Sequence, residues 1–415
     1  MGLTGHERRP SQPVGFSADP ANSLKATVLA ASFYPAVIYG GPIYSVLGRC
    51  KALTQLGVHV NVVTTNANGT EKLDVPVDEP VHFSDRMAVH YFDDTISGNR
   101  FSWSLGKSCS SAVSACDVFH TEELFYCHVP QFLLAAQRHR KPALMSPRGV
   151  LAEWALLNRR PMMKKAWLRV AIAPFSRSVW WHATSEMEKH EIVSVFPGSR
   201  VVVIPNGIDL ALYRNAQQLP RDAYLRKFTG RTMTAENIVV SAGRLHRKKG
   251  YDILIKAFER VRRIRPNAVL LIAGSDEGER ARLEAQVAGL QLQERIFFVG
   301  QLNGDDWTSF LAGADLFAFC SHSENFGNVI VEALASGVPV VSTRGTPWER
   351  LDKHECGHWV TNEPEAVAEA ILSLLAGNSP QLRARARILA DEYGWNQIGK
   401  SFLDTYRTML KANQQ

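Results

Sequence analysis

The sequence has no run approaching the ~18 uncharged apolar residues of a membrane-spanning helix. Its first 22 residues are polar and contain proline, and they lack the apolar stretch of a secretory signal. Residues 1–23 read as a disordered tail ahead of a cytoplasmic protein. Only six residues are cysteine: Cys50, Cys109, Cys116, Cys127, Cys320 and Cys356. None pair at metal-ligand spacing and several sit in apolar patterns, which favours reduced, buried thiols over disulfides or a metal site. Zinc fingers, single-strand stacking modules and basic repeats are missing too, so no nucleic acid partner is expected. The formal net charge of +7 is modest for 415 residues. It suits anionic lipid or a phosphorylated substrate without selecting between them. No Asp-x-Asp pair stands where a strand would end, so nothing marks a divalent-cation site.

What the chain does contain is a repeated strand–helix alternation, over a length that exceeds what one hydrophobic core serves. An apolar run at 26–32 feeds Gly40-Gly41-Pro42, and a helical pattern follows in which Leu47, Cys50, Leu53 and Leu56 share a face. A second strand is predicted at 58–64. Strand, glycine turn, helix, strand opens a doubly wound α/β domain. Residues 66–87 read as a surface loop, 102–115 as a helix, and 88–92, 117–120, 143–146, 179–183 and 200–204 as strands. A polar stretch at 214–236 reads as an exposed linker. The alternation then restarts with strands at 238–242, 269–273, 296–299, 315–320 and 339–342. The last helices are predicted at 380–392 and 395–411.

The stretch Ser321 to Ala333 stands out. It places Glu324 on a loop between a buried strand and an apolar helix, with Glu332 in the first turns of that helix. Open α/β sheets bind ligands outside the carboxyl ends of their strands. The free N–H groups at a helix start favour an anion there. Glu324 beside such an end suits hydroxyl groups carried by a phosphorylated ligand; taken singly, either Glu is equally a capping or solvent-facing residue. Gly243-Arg244 and Lys249-Gly250 follow an earlier strand. A fixed Arg and a flexible Lys framed by glycines can neutralise a diphosphate from two directions; the alternative is a basic loop that is simply solvated. Residues 153–181 interleave Trp154, Leu157, Met162, Met163 and Trp167 with Arg159, Arg160, Lys164, Lys165, Arg169 and Arg177. That pattern reads either as a surface for an anionic membrane or as a core-facing helix with a solvated basic face.

The Glu324–Glu332 pair, with Phe326-Gly327 and Ala333, resembles the E-x7-E signature of retaining glycosyltransferases of family 4 (glycosyl transferases group 1), of the bacterial surface-polysaccharide type. Gly243-Arg244-Leu245 with Lys249-Gly250 resembles that family's G-R-L-x3-K-G pattern, and Pro205-Asn206-Gly207-Ile208-Asp209 its hinge motif. The resemblance implies an α/β GT-B fold: two doubly wound Rossmann-like domains facing a central cleft. Residues 24–207 would bind acceptor and 208–394 the nucleotide sugar. The helix at 395–415 would cross back to the first domain through Trp395, Ile398, Phe402 and Tyr406.

The resemblance further implies that Glu324 orients donor-sugar hydroxyls, Glu332 holds the ribose, and Arg244 and Lys249 take the diphosphate. Gly41, Asn206, Gly243, Leu302, Asn325, Phe326, Gly327 and Asn328 would complete the donor site. His120, at a strand end, matches a family His that reaches the donor sugar, although Thr121, Glu122 and Glu123 follow where a second His is common; a structural His is the equal alternative. Arg148 either faces an acceptor or a phosphate, or makes a structural ion pair. Val37-Ile38-Tyr39 before the glycines, in place of Lys-x-Gly-Gly, disfavours an ADP-glucose polysaccharide synthase. The expected activity is metal-independent transfer, without cofactor, from a nucleotide-diphosphate sugar to a glycan or lipid-linked acceptor, in the cytoplasm at the membrane's inner face. The alternatives are a non-catalytic nucleotide-sugar-binding scaffold and an inverting GT-B transferase or epimerase.

Overall fold

The computed structural model describes residues 23–96, 98–158 and 160–414. The expected tail, apart from Ser23, and Arg159 of the basic segment lie outside the described residues.

The chain opens with β1 (Lys25–Leu29), the helix Gly41–Gln55 and β2 (His59–Thr65). A small hairpin, β3 (Ala67–Asn68) and β4 (Glu71–Lys72), leads to β5 (Pro80–Ser84) and β6 (Met87–Phe92). Next come β7 (Val118–Glu122), β8 (Ala143–Ser146), β9 (Trp180–Ala183) and β10 (Arg200–Val203). They form one eight-stranded sheet in the order β10-β9-β8-β7-β1-β2-β6-β5. Only β5 runs antiparallel, on the edge beside β6. It lies in the stretch read as loop, because Pro80, His82 and Ser84 are exposed and its two inward residues are only half-buried.

The second sheet is parallel throughout. Its strands are β11 (Ile238–Ala242), β12 (Val269–Ala273), β13 (Ile296–Gly300), β14 (Leu316–Phe319), β15 (Val340–Thr343) and β16 (Gly357–Val360). The order is β13-β12-β11-β14-β15-β16. The strands β11, β12, β14 and β15 are wholly buried, which is why they read as unbroken apolar runs. Strand order reverses between β1 and β7 in one sheet and between β11 and β14 in the other. Those reversals are where such sheets bind ligands.

Three local expectations change. The presumed linker at 214–236 contains the helix Arg221–Thr229, held to the core by Tyr224, Leu225 and Phe228. The segment 153–181 is broken into Glu153–Leu157, Pro161–Trp167 and the wide turn Leu168–Ile172, with Pro161 starting the second piece. Cys127 is exposed, while all six cysteines are unpaired.

The terminal helix Trp395–Gln414 returns to the first half, where Ile398, Phe402 and Tyr406 enter its core. It crosses the helix Gly41–Gln55 at Gly48. A Cβ there would come within 2.2 Å of the Trp395 ring, so only glycine permits this approach.

Candidate active site in the cleft

A cavity of about 1690 Å³ opens between the halves. Gly41, Tyr44, Ser45 and Gly48 line it from the first. Gly243, Arg244, Leu302, Trp307, Asn328 and Glu332 line it from the second.

The loop after β11 turns sharply so that its basic residues reach the end of β14. Gly250 makes this possible: its φ is +63°, and a Cβ would lie 2.1 Å from the Cys320 carbonyl oxygen. Lys249 then meets Glu324, Nζ to Oε2 2.5 Å, with its ammonium 4.9 Å above the Phe319 ring. Burial opposes ionisation of Glu324, but the Lys249 ammonium prevails and holds the carboxyl below its usual range. Arg244 is well exposed on the cavity wall and pairs with Glu277 at 2.6 Å. Lys249 and Glu324 do not themselves line the cavity; their pair stands next to Gly243, which does.

Glu332 faces the cavity from the helix Asn328–Ala335. Burial pushes its pKa up to about 7, although the Trp307 indole donates to it at 2.9 Å and Tyr213 also hydrogen-bonds it. Neither Trp307 nor Tyr213 carries a signal in the sequence; each reaches Glu332 from a different helix or turn.

Asn328, first residue of that helix, bridges the halves. Its Oδ1 accepts from Asn206 Nδ2 (3.0 Å) and its Nδ2 donates to Ser45 Oγ (3.2 Å). Gly41 lies against the same amide. Asn206 Oδ1 accepts in turn from Arg148 (2.8 Å), whose Nε donates to Glu122 (2.6 Å). Arg148 therefore makes the structural ion pair that was one of its two readings. Arg49, almost fully buried, closes the network on the other Glu122 oxygen. In the sequence Arg49 is marked only by standing next to Cys50 of the apolar face, with Lys51 a second cation in the same helix.

His120, expected to reach the donor sugar or to be structural, does not line the cavity. It is fully buried, with Nδ1 2.8 Å from Tyr406 Oη and Nε2 2.7 Å from Ser146 Oγ. Burial, with Arg49 alongside, drives its pKa well below the ordinary value. Two residues expected at the donor site, Asn325 and Phe326, also have partners away from the cavity lining. Asn325 is turned to the first half: its carbonyl accepts from Ser185 Oγ (3.2 Å), and its amide, with nitrogen toward Glu188, lies 3.0 Å from that carboxylate. The Phe326 ring packs in the core against Trp348 and Tyr393. Gly327, in the left-handed conformation, caps the helix start.

Residues 39–212 match the family described as Glycosyltransferase Family 4, and residues 227–391 match Glycosyl transferases group 1. Each match spans about two fifths of the chain, one in each half. The chain is 30% identical over 234 residues to an uncharacterized glycosyltransferase of Methanocaldococcus jannaschii, covering 55% of this chain and 59% of that one. It is 29% identical over 260 residues to the phosphatidyl-myo-inositol mannosyltransferase of Mycobacterium tuberculosis, covering 60% and 62%. With the lipopolysaccharide core biosynthesis glycosyltransferase LpsE of Rhizobium meliloti it shares 36% identity over 152 residues, 36% and 43% of the two chains. The chain thus spans about three fifths or less of the length of these relatives. Among solved structures, Anabaena HepE in complex with UDP and glucose superposes with a TM-score of 0.69 at 20% identity, over 93% of this chain and all of that one. WaaG, a lipopolysaccharide-biosynthesis glycosyltransferase, superposes at 0.66 with 17% identity, over 92% and 99%. Both likenesses are of fold: the chain has the GT-B architecture. Among the described residues, no helix is long and apolar enough to cross a membrane. No group of three or more His, Cys, Asp or Glu side chains among them is placed to hold a metal ion.

Proposed function

We propose that this glycosyltransferase moves a sugar from a nucleotide-diphosphate sugar to a glycan or lipid-linked acceptor, with retention at the anomeric carbon, in surface-polysaccharide biosynthesis. The observation that carries the reading is the Lys249–Glu324 pair at the β11/β14 reversal, with Arg244 and Glu332 on the adjoining cavity wall. The relatives are named for transfer onto a phosphoinositide and onto lipopolysaccharide core, and HepE was solved with UDP and glucose.

In this reading the second half binds the donor and the first half the acceptor. Glu332 accepts the ribose hydroxyls. Arg244 and Lys249 take the diphosphate, aided by the N–H groups at the start of the helix Asn328–Ala335, and no metal ion is needed. When Lys249 turns to phosphate, Glu324 is released to the hydroxyls of the donor sugar. The acceptor oxygen bonds to the anomeric carbon on the face from which the diphosphate leaves. The carbon–oxygen bond to phosphate breaks, and the acceptor proton passes to a phosphate oxygen. Membrane contact would come from Leu157, Met162, Met163 and Val170, all 60% exposed or more, beside the exposed Arg160, Lys165 and Arg169. Hydrocarbon-facing side chains with flanking cations suit an anionic bilayer surface at the inner face of the cytoplasmic membrane.

The test is product stereochemistry by NMR, together with Glu324→Ala kinetics. Retained configuration, activity in EDTA, and a kcat loss far exceeding any loss of nucleotide affinity are expected. An inverted product, or near-normal turnover by Glu324→Ala, refutes the mechanism. Binding without turnover, across donors and acceptors, would instead identify a scaffold.

A further inference from the structure

The short helix Glu153–Leu157 belongs to the first half, yet its Trp154 reaches the basic loop of the second. The Trp154 and His246 rings meet edge to face with centroids 5.8 Å apart, and Lys248 Nζ lies 5.2 Å from the indole centroid. His246 accepts from the Lys248 backbone N–H at 3.0 Å and so caps the single turn Arg247–Lys249. The Lys248 carbonyl accepts from His322 N–H (2.8 Å) and Ser321 Oγ (3.0 Å), two residues shortly before Glu324. One aromatic side chain therefore touches the turn that presents Lys249, and that turn is tied to the strand end that presents Glu324.

Folding of the first half does not explain the indole. Trp154 is 39% exposed, and no residue of its helix is buried. Electrostatics does. Arg247, Lys248 and Lys249 are consecutive, so their like charges repel. The aromatic face receives the Lys248 ammonium, leaving the Lys249 ammonium to point at Glu324 and the diphosphate position. Burial beside the indole lowers the Lys248 pKa, with the Glu324 carboxylate opposing, which fits a cation drawn off the solvent.

We propose that Trp154 is a positioning residue, which from the first half clamps the His246–Lys248 turn and so sets where Lys249 meets the donor diphosphate. Phe at this position keeps an aromatic edge and face; Leu keeps much of the bulk and neither. The inference rests on the reading of Lys249 as a diphosphate ligand, so Lys249→Ala is measured alongside.

The experiment is calorimetric titration of the full chain with inorganic pyrophosphate, UDP, GDP, uridine and guanosine. Trp154→Leu should weaken pyrophosphate, and whichever nucleotide the protein binds, by about tenfold, equivalent to about 1.4 kcal/mol. Trp154→Phe should stay within about threefold of the parent, and nucleoside affinity should be unchanged in both. His246→Asn, which keeps an acceptor for the Lys248 N–H but removes the ring facing Trp154, should behave like Trp154→Leu and serves if that variant does not fold. Parent-like diphosphate binding by Trp154→Leu, beside a weakened Lys249→Ala, overturns the clamp and leaves Lys249 as a ligand. Equal losses for nucleoside and diphosphate, or no rescue by Phe, also overturn it. A Lys249→Ala protein that binds diphosphate normally removes the underlying reading and the clamp with it.

Discussion

Replacing Glu332 with Gln should make the protein more stable at about pH 8 and leave it unchanged near pH 4. Burial raises the Glu332 pKa to about 7, against 4.5 for an unperturbed Glu. Below the unfolded value both states carry the proton and the group contributes its full stability. As pH rises toward 7, the unfolded chain ionises freely while the folded one resists, so that stability is lost. The gap, at ~1.4 kcal/mol per pKa unit, corresponds to roughly 3 kcal/mol. Glu332 is partly open to the cavity, so about 2 kcal/mol is the expected gain. Gln cannot ionise, and its amide oxygen still accepts from the Trp307 indole. Scanning calorimetry across pH 4 to 8 should show the Tm of the second half raised by about 4–8 °C in the variant at the alkaline end, for a unit of this size. The same variant should bind nucleotide more weakly, because ribose hydroxyls lose an ionised acceptor. A functional carboxylate kept in a place that costs stability is what an active site predicts. Identical pH–stability curves for the two proteins would refute the argument, since Glu332 would then ionise as it does in the unfolded chain.

Four other changes test the remaining geometry. Lys249→Ala should weaken nucleoside diphosphate relative to nucleoside by roughly 1.5–3 kcal/mol, and Arg244→Ala by less, because Arg244 is 66% exposed; equal losses for both ligands by calorimetry would remove them from the phosphate site. Glu122→Gln strands Arg49 and Arg148 against a neutral partner, and should lower stability by ~3–5 kcal/mol in urea titration; an unshifted midpoint would contradict the buried network. Reversing charge at Arg160, Lys165 and Arg169 should abolish salt-sensitive sedimentation with vesicles containing anionic lipid; a parent protein that ignores such vesicles at low salt would refute membrane contact. Lys164 is left out because its ammonium is spent on the Ala155 and Asn158 carbonyls, 2.6 and 2.5 Å away.

The alternation of buried strands and one-faced helices is a local property, so the two sheets and their ligand-binding ends were readable from the chain. The same holds for Glu324, Glu332, Arg244 and Lys249, whose glycine-framed loops follow apolar strands by fixed short distances. Edge strand β5 and the helix Arg221–Thr229 escaped notice because neither carries a long apolar repeat; what holds each in place is the neighbour it pairs with or packs against. His120 shows the limit more sharply. Its position at the end of β7 is set locally. Whether that end is open is decided by Tyr406, 286 residues later, on a helix that Gly48 admits to within contact distance. Asn325, inside the most informative motif, is likewise claimed by Ser185 and Glu188 of the other half. The sequence by itself determined which buried apolar segments become strands, which turns carry charge, and which carboxylates stand near a helix start. Only the tertiary structure decided which of those groups face the cavity and which are consumed by partners. Side-chain direction follows from local backbone geometry, whereas solvent access and hydrogen-bond satisfaction depend on residues hundreds of positions away.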